Sequence, residues 1–262
     1  MKTIRDFAAA KQARRKIVMV TSYDAWSARL LAETPVDCLL VGDSAMMVMH
    51  GERDTLGATI EVMVMHTRAV ARGAPEKFIV ADMPFLSVRK GAGFALDCAA
   101  KLLGAGAHAV KIEGLRGHRY VVSHLVESGI PVMGHLGLLP QSVHAVGGYR
   151  VQARDAAAAA QLLKDAASFE KAGAFAIVLE CIPQSVAKEV SGKLRVPTIG
   201  IGAGVGCDGQ VLVLHDLLGF QPHFAPRFVR RFTDGALLVK TGVTKYAAAV
   251  RSGKFPVSKE SF

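Results

Sequence analysis

Asp43, Asp82, Glu113, His135 and Glu180 each stand at or just past the end of a short apolar run, and Lys111 lies two residues before Glu113. A lone aspartate in such a place is ordinarily a helix cap or a turn residue, and Asp43–Ser44 taken alone reads that way. Four carboxylates and a histidine ending five separate runs are a different matter. Carboxylates gathered at one mouth raise one another's pKa, and a divalent cation removes the conflict. Oxygen ligands favour Mg2+ over zinc. Two or three carboxylates plus waters leave coordination positions for the keto and carboxylate oxygens of a 2-oxo acid. The cation would polarise the keto group and stabilise the enolate left when the adjacent carbon loses a proton. Lys111 would offset the substrate's carboxylate charge, and Glu180 would be the base that takes the proton. His135 has two readings, a hydrogen bond to substrate or a satisfied core histidine.

Side chains converge like this only if the runs before them are strands of one sheet. The runs are Ile17–Tyr23, Cys38–Asp43, Phe78–Met83, Ala109–Gly114, Pro131–Gly137, Ala176–Cys181, Val196–Gly202 and Val211–Asp216. Nearly continuous apolar character between turn residues suits parallel strands buried on both faces. Period-two alternation puts Lys111 with Glu113, Val80 with Asp82, Met133 with His135 and Val178 with Glu180 on shared faces. Helical spacing follows the runs, over Thr59–Arg72, Phe94–Gly106 and Arg154–Ala172. Eight strands alternating with helices predict a (β/α)8 barrel over residues 1–262 as one domain, whose active site lies at the carboxyl ends of the strands. A doubly wound open sheet is the alternative. Residues 2–13 are expected as an extra N-terminal helix closing the barrel floor, and Thr233–Ala249 as the last outer helix. The eighth strand is the weak link, because Ala203–Gln210 is too short for a crossover helix.

Composition narrows the function classes. Half the chain (51%) is hydrophobic, which supplies a core and excludes disorder as the main state. No uninterrupted apolar stretch reaches about 18 residues, so a membrane span is not expected. The basic N-terminus lacks an apolar run with a cleavage site, which argues against secretion. Cys38, Cys98, Cys181 and Cys207 have no pairing or zinc spacing and read as buried thiols in a reducing compartment, the cytoplasm. The net charge of +10 raises nucleic acid as a partner. The basic residues are dispersed and no recognition signature accompanies them, so a solvated basic surface is expected instead. Gly200–Gly204 resembles a phosphate-cradling loop but lacks that motif's spacing, and close backbone packing is the competing reading. His66 and His215 are expected to be structural. Met46, Met47, Met49, Met63 and Met65 either line a pocket or fill core gaps.

The same segments resemble the ketopantoate hydroxymethyltransferase family. The matching stretches are TSYDAWSA at 21–28, LLVGDS at 39–44, VMHG at 48–51, HTRAVARG at 66–73, ADMPF at 81–85, AVKIEG at 109–114, PVMGHLGLLPQSVHAVGGYRVQ at 131–152, VLE at 178–180 and PTIGIGAGVGCDGQVLVLHDLLG at 197–219. The resemblance implies a Mg2+-dependent (β/α)8 enzyme of the phosphoenolpyruvate/pyruvate type. It implies transfer of a hydroxymethyl group from 5,10-methylenetetrahydrofolate to 3-methyl-2-oxobutanoate, giving 2-dehydropantoate. Carried residue by residue, it makes Asp43 and Asp82 metal ligands with Glu113 as the third. It assigns substrate contacts to Asp43, Ser44, Asp82 and Lys111, and the proton acceptor to Glu180. It also implies a homo-oligomer, commonly a decamer. The chain departs from the family's usual pattern at Ala45–Met46 after GDS, at Gly57 for proline, at Leu139 for threonine and at Ala153 for glycine. None of these removes a proposed catalytic group. Two other readings compete: a metal-dependent lyase or mutase on the same barrel, and a non-catalytic anion-binding protein.

Overall fold

The computed structural model describes residues 2–223 and 226–262. The chain divides into two compact units, one ending at Val213 and one spanning Leu214–Phe262. Among the described residues the eight strands lie in the first: β1 (Ile17–Thr21), β2 (Cys38–Val41), β3 (Phe78–Asp82), β4 (Ala109–Glu113), β5 (Val132–Gly137), β6 (Ala176–Glu180), β7 (Thr198–Ile201) and β8 (Gly209–Leu212). They pair in sequence order, all parallel, and β1 closes on β8. The expected (β/α)8 barrel is therefore the fold, and the open-sheet alternative falls with the closure.

The sequence explains why these segments become strands. Cys38–Val41 and Phe78–Asp82 are buried at every residue, as strands covered on both faces must be. Met19, Leu40, Val80, Ala109, Met133, Val178 and Ile199 belong to one buried apolar cluster in the barrel. The cluster stops two residues short of Asp82, His135 and Glu180, so strand parity carries those three onto the same interior face higher up. The helices follow the expected spans with small shifts. Ile60–Gly73 is capped by Thr59, whose hydroxyl accepts the Val62 N–H; Ala156–Lys171 is capped by Asp155, which accepts the Ala158 N–H.

The N-terminal helix, Ile4–Gln12, sits at the floor as expected. Phe7 meets Phe78 at 5.2 Å and Phe175 at 5.1 Å between ring centroids, in edge-to-face contacts. Phe78 opens β3 and Phe175 immediately precedes β6, which fixes this cluster at the amino ends of the strands.

The eighth strand differs from expectation. It begins at Gly209 rather than Val211, and His215 and Asp216 lie in a helical turn, Leu214–Leu217, instead of extending it. The join from β7 carries no helix; it is the glycine-rich segment itself. A Cβ at Gly204 would lie 2.5 Å from the Gln184 Cβ, and one at Gly209 would lie 2.5 Å from the Ile17 carbonyl oxygen. The glycines serve close packing, which answers the phosphate-loop question on the packing side.

In the second unit, Leu214–Leu217 and the long helix Gly235–Arg251 are tied by backbone bonds from Phe232 to Leu217 and from Gly235 to Leu218. Among the described residues no helix is long and apolar enough to cross a membrane. All four cysteines are buried and free.

Candidate active site

The carboxyl ends of β2 to β6 bring the expected residues together. Asp43, Asp82, Lys111 and His135 are buried, and Glu113 and Glu180 reach the same space from the last positions of β4 and β6. Asp82 pairs in register with Lys111, Glu113 with His135, and Gly137 with Glu180.

A connected polar network results. The Asp43 N–H donates to Asp82 Oδ2 at 3.0 Å, which places the two carboxylates side by side. Gly42 makes this turn possible, since a Cβ there would lie 2.7 Å from Ser44 Oγ. Asp43 is not on β2 but just beyond it, so strand parity does not place it; the turn does. The Lys111 Nζ stands 3.0 Å from Asp82 Oδ1 and donates to His135 Nδ1 at 3.1 Å. Lysine only donates, so Nδ1 accepts and the proton of a neutral ring sits on Nε2. That nitrogen faces Glu180 Oε2 at 3.1 Å. The chain of contacts runs from the paired aspartates through Lys111 and His135 to Glu180. His135, left with two readings by the sequence, stands in the structure between Lys111 and Glu180. Ser44 joins from the side, its hydroxyl 2.8 Å from that of Tyr23.

The electrostatics follow from burial. Burial, then Asp82 and Glu113, push the Asp43 carboxyl well above the usual range, against Lys111 and a hydrogen bond from Gln141. Burial alone would lower Lys111, but Asp82, Glu113 and Asp43 outweigh it and hold the ammonium form. For Glu113 burial again acts upward, yet His135, Lys111 and the Gln141 N–H prevail and lower it. In His135 burial and Lys111 oppose the charge, while Glu113 and Glu180 draw its pKa up.

Three buried atoms in this network, Asp82 Oδ1, Glu113 Oε1 and His135 Nε2, have ionic contacts at 3.0, 3.4 and 3.1 Å but no aligned hydrogen bond among the described residues. Lone pairs on two acids are thus left for another partner, and oxygen donors beside a raised carboxyl suit a hard divalent cation. No three His, Cys, Asp or Glu side chains among the described residues close on a single point as a ready-made ligand set. The donor set fits an ion such as Mg2+, which keeps several waters and takes one or two carboxylates directly.

The sequence reading missed two participants. Gln141, in the turn after β5, contacts both Asp43 and Glu113. Tyr23 follows β1 and holds Ser44. Both lie outside the strands, where no periodicity marks an inward residue; a signal was present only for Gln141, in the adjacent Pro140 and the nearby Gly137. His66 is structural as expected, its Nδ1 2.6 Å from the Tyr23 carbonyl oxygen and its Nε2 2.8 Å from His50. The methionines divide: Met46 and Met63 are buried, Met49 and Met65 exposed. A Cβ at Gly57 would lie 3.3 Å from the Met46 methyl, so two of the departures from the family pattern are neighbours and one makes room for the other.

Solved structures share the fold. The chain is similar to phosphonopyruvate hydrolase crystallised with oxalate and Mg2+ (TM-score 0.63, 14% identity, 99% of this chain and 93% of that one). It is similar also to 2,3-dimethylmalate lyase, a PEP mutase/isocitrate lyase superfamily member (TM-score 0.60, 16% identity, 100% and 92%). The fold is that of these barrels. Within it, residues 1–258 match the family described as ketopantoate hydroxymethyltransferase. The 3-methyl-2-oxobutanoate hydroxymethyltransferase of Bdellovibrio bacteriovorus is 51% identical over all 262 residues and the whole of both chains. Those of Legionella pneumophila strain Paris (48%, 99% of each chain) and Coxiella burnetii strain CbuK_Q154 (46%, 96% and 95%) bear the same name. The chain belongs to the ketopantoate hydroxymethyltransferase family, a family of transferases.

Proposed function

We propose that this protein transfers a hydroxymethyl group from 5,10-methylenetetrahydrofolate to 3-methyl-2-oxobutanoate, giving 2-dehydropantoate for pantothenate synthesis. The observation that carries the reading is the Lys111–His135–Glu180 relay beside a buried pair of aspartates. Asp43 and Asp82 would hold Mg2+ directly and Glu113 through water; the ion, when bound, supplies Lewis-acid polarisation of the substrate's keto group. Lys111 and Ser44 bind and orient the oxo acid's carboxylate. Glu180 takes the proton from C3 of the oxo acid, and the C–H electrons pass into the enolate. His135 Nε2 lies 3.1 Å from Glu180 Oε2, a close contact without an aligned hydrogen bond, and Oε1 would receive the proton. The methylene carbon leaves both folate nitrogens: one of its C–N bonds is replaced by the bond to C3 and the other by the bond to a water oxygen. The two nitrogens take up the C3 proton released by Glu180 and the remaining water proton, leaving tetrahydrofolate.

We read the active form as a homo-oligomer, a decamer on the family pattern, located in the cytoplasm. Trp26, Leu30 and Met65, apolar and exposed on the packed helices Ala25–Ala32 and Ile60–Gly73, support covered surface between copies. Light scattering at micromolar concentration should give a mass several times the monomer's; a monomer would remove that part of the reading.

The test of function is turnover with 3-methyl-2-oxobutanoate, methylenetetrahydrofolate and Mg2+. 2-Dehydropantoate should form only with both substrates present, stop with chelator and return on Mg2+ addition. Absence of product, with cleavage of a branched malate instead, would favour the lyase alternative.

A further inference from the structure

We infer that Gln141 is a positioning residue that sets the two outer acids of the mouth for a cation; the inference rests on the metal reading above. Gln141 is the middle residue of a single tight turn, Pro140–Ser142, after β5. The turn is pinned before it by the Leu138 N–H on the Glu180 carbonyl oxygen at 2.9 Å, and closed by the Ser142 N–H on the Leu139 carbonyl oxygen at 2.8 Å. Leu139 leans on the bare Cα of Gly114, where a Cβ would stand 3.3 Å from its Cδ1. This fixes the Gln141 backbone against the end of β4.

From there Gln141 spends every hydrogen it has. Its N–H donates to Glu113 Oε2 at 3.0 Å, and its side-chain amide donates to Asp43 Oδ2 at 2.7 Å and to the Met83 carbonyl oxygen at 2.9 Å. Both side-chain partners are acceptors, so the amide orientation is unambiguous. One residue therefore ties the ends of β2, β3 and β4 to the loop after β5. Asp43 and Glu113 repel each other electrostatically, which alone would splay them. Gln141 puts donors on one oxygen of each. It leaves Asp43 Oδ1 and Glu113 Oε1 directed elsewhere, and Glu113 Oε1 has no aligned hydrogen bond. An anchor for the loop alone would need one such bond. Three bonds that converge on two proposed ligands and the carbonyl beside a third residue, Asp82, are the arrangement that orients carboxylates for a metal.

The test is Mn2+ binding to the metal-free full-length protein, followed by electron paramagnetic resonance without substrate, for wild type, Gln141→Met and Gln141→Asn. Methionine keeps the volume and loses the donors; asparagine keeps the amide but is one methylene too short to span both acceptors. Gln141→Met should bind Mn2+ roughly 10–100-fold more weakly, and Gln141→Asn should fall between it and wild type, with thermal unfolding of the metal-free proteins little changed. Variants that bind within twofold of a wild type that does bind would overturn the inference alone. Variants that both fail to fold would mark Gln141 as a structural strut and overturn it equally. A wild type that binds no Mn2+ would overturn the metal reading and this inference with it.

Discussion

The two ends of the barrel are buried alike and built oppositely. At the floor, Phe7, Phe78 and Phe175 fill the space with edge-to-face rings under the N-terminal helix. At the mouth the same depth of burial holds Asp43, Asp82, Lys111 and His135, and buried polar atoms there lack aligned partners. Apolar burial stabilises in proportion to the area removed from water. Buried charge costs free energy unless it is paired and hydrogen-bonded. The floor therefore carries stability, and the mouth holds charge ready for a ligand at stability's expense. A (β/α)8 barrel separates the two tasks along its axis, so that one end varies without undoing the other.

Phe7→Ala should have the largest effect and test the floor. Removing a fully buried ring from this cluster should cost about 3–5 kcal/mol of folding free energy, read by chemical denaturation. Turnover per folded molecule at 25 °C should be unchanged. If it falls sharply while stability holds, the division between ends is wrong.

Gly137→Ala tests the mouth. Gly137 has φ +95°, and a Cβ there would overlap the Glu180 carbonyl oxygen. The added methyl must displace the residue that carries the base. A displacement of about 1 Å can cost on the order of 10²-fold in rate, so kcat should drop by about that much, with KM much less affected. Wild-type kcat would show that the position of Glu180 is not set here.

Lys111→Met should act on substrate. A charge-assisted hydrogen bond contributes about 1.5–3 kcal/mol, so KM for the oxo acid should rise roughly tenfold or more. The acids left behind can take up a proton or a cation, which limits the loss of stability to less than that of Phe7→Ala. A larger stability loss than at the floor would make Lys111 a structural residue.

The smallest effect is expected at Ala153, which has φ +53° in the left-handed region that favours glycine. Ala153→Gly should stabilise by about 1 kcal/mol, seen as a small rise in Tm with unchanged kinetics. An unchanged or lowered Tm would mean that the lost methyl contact offsets the relieved strain.

How far the sequence discloses all this depends on what kind of signal each part leaves. The barrel is legible because strands buried on both faces are nearly continuous apolar runs, as β2 is throughout and β3 is up to Ala81. Asp82, Lys111, His135 and Glu180 are legible because alternation ties each to an apolar partner two residues below, and Glu113 because alternation ties it to Lys111. The eighth strand was displaced because VLVLHD stays apolar past the point where pairing with β1 ends at Leu212. Gln141 and Tyr23 leave no periodic trace, since loop backbone rather than strand parity aims them. The Met46–Gly57 contact is likewise invisible in one dimension, although each residue alone departs from the family pattern.

The central claim is that Glu180, held by His135, takes the C3 proton. The direct measurement is exchange of that proton of 3-methyl-2-oxobutanoate with deuterated water, with Mg2+ and without folate, followed by proton NMR for wild type, Glu180→Gln and His135→Asn. A positioned base contributes about 10²–10⁴-fold. Glu180→Gln should lose exchange by that factor while it still binds the oxo acid, and His135→Asn should lose less. Exchange at the wild-type rate in Glu180→Gln, with none in His135→Asn, would make His135 the base and contradict the account.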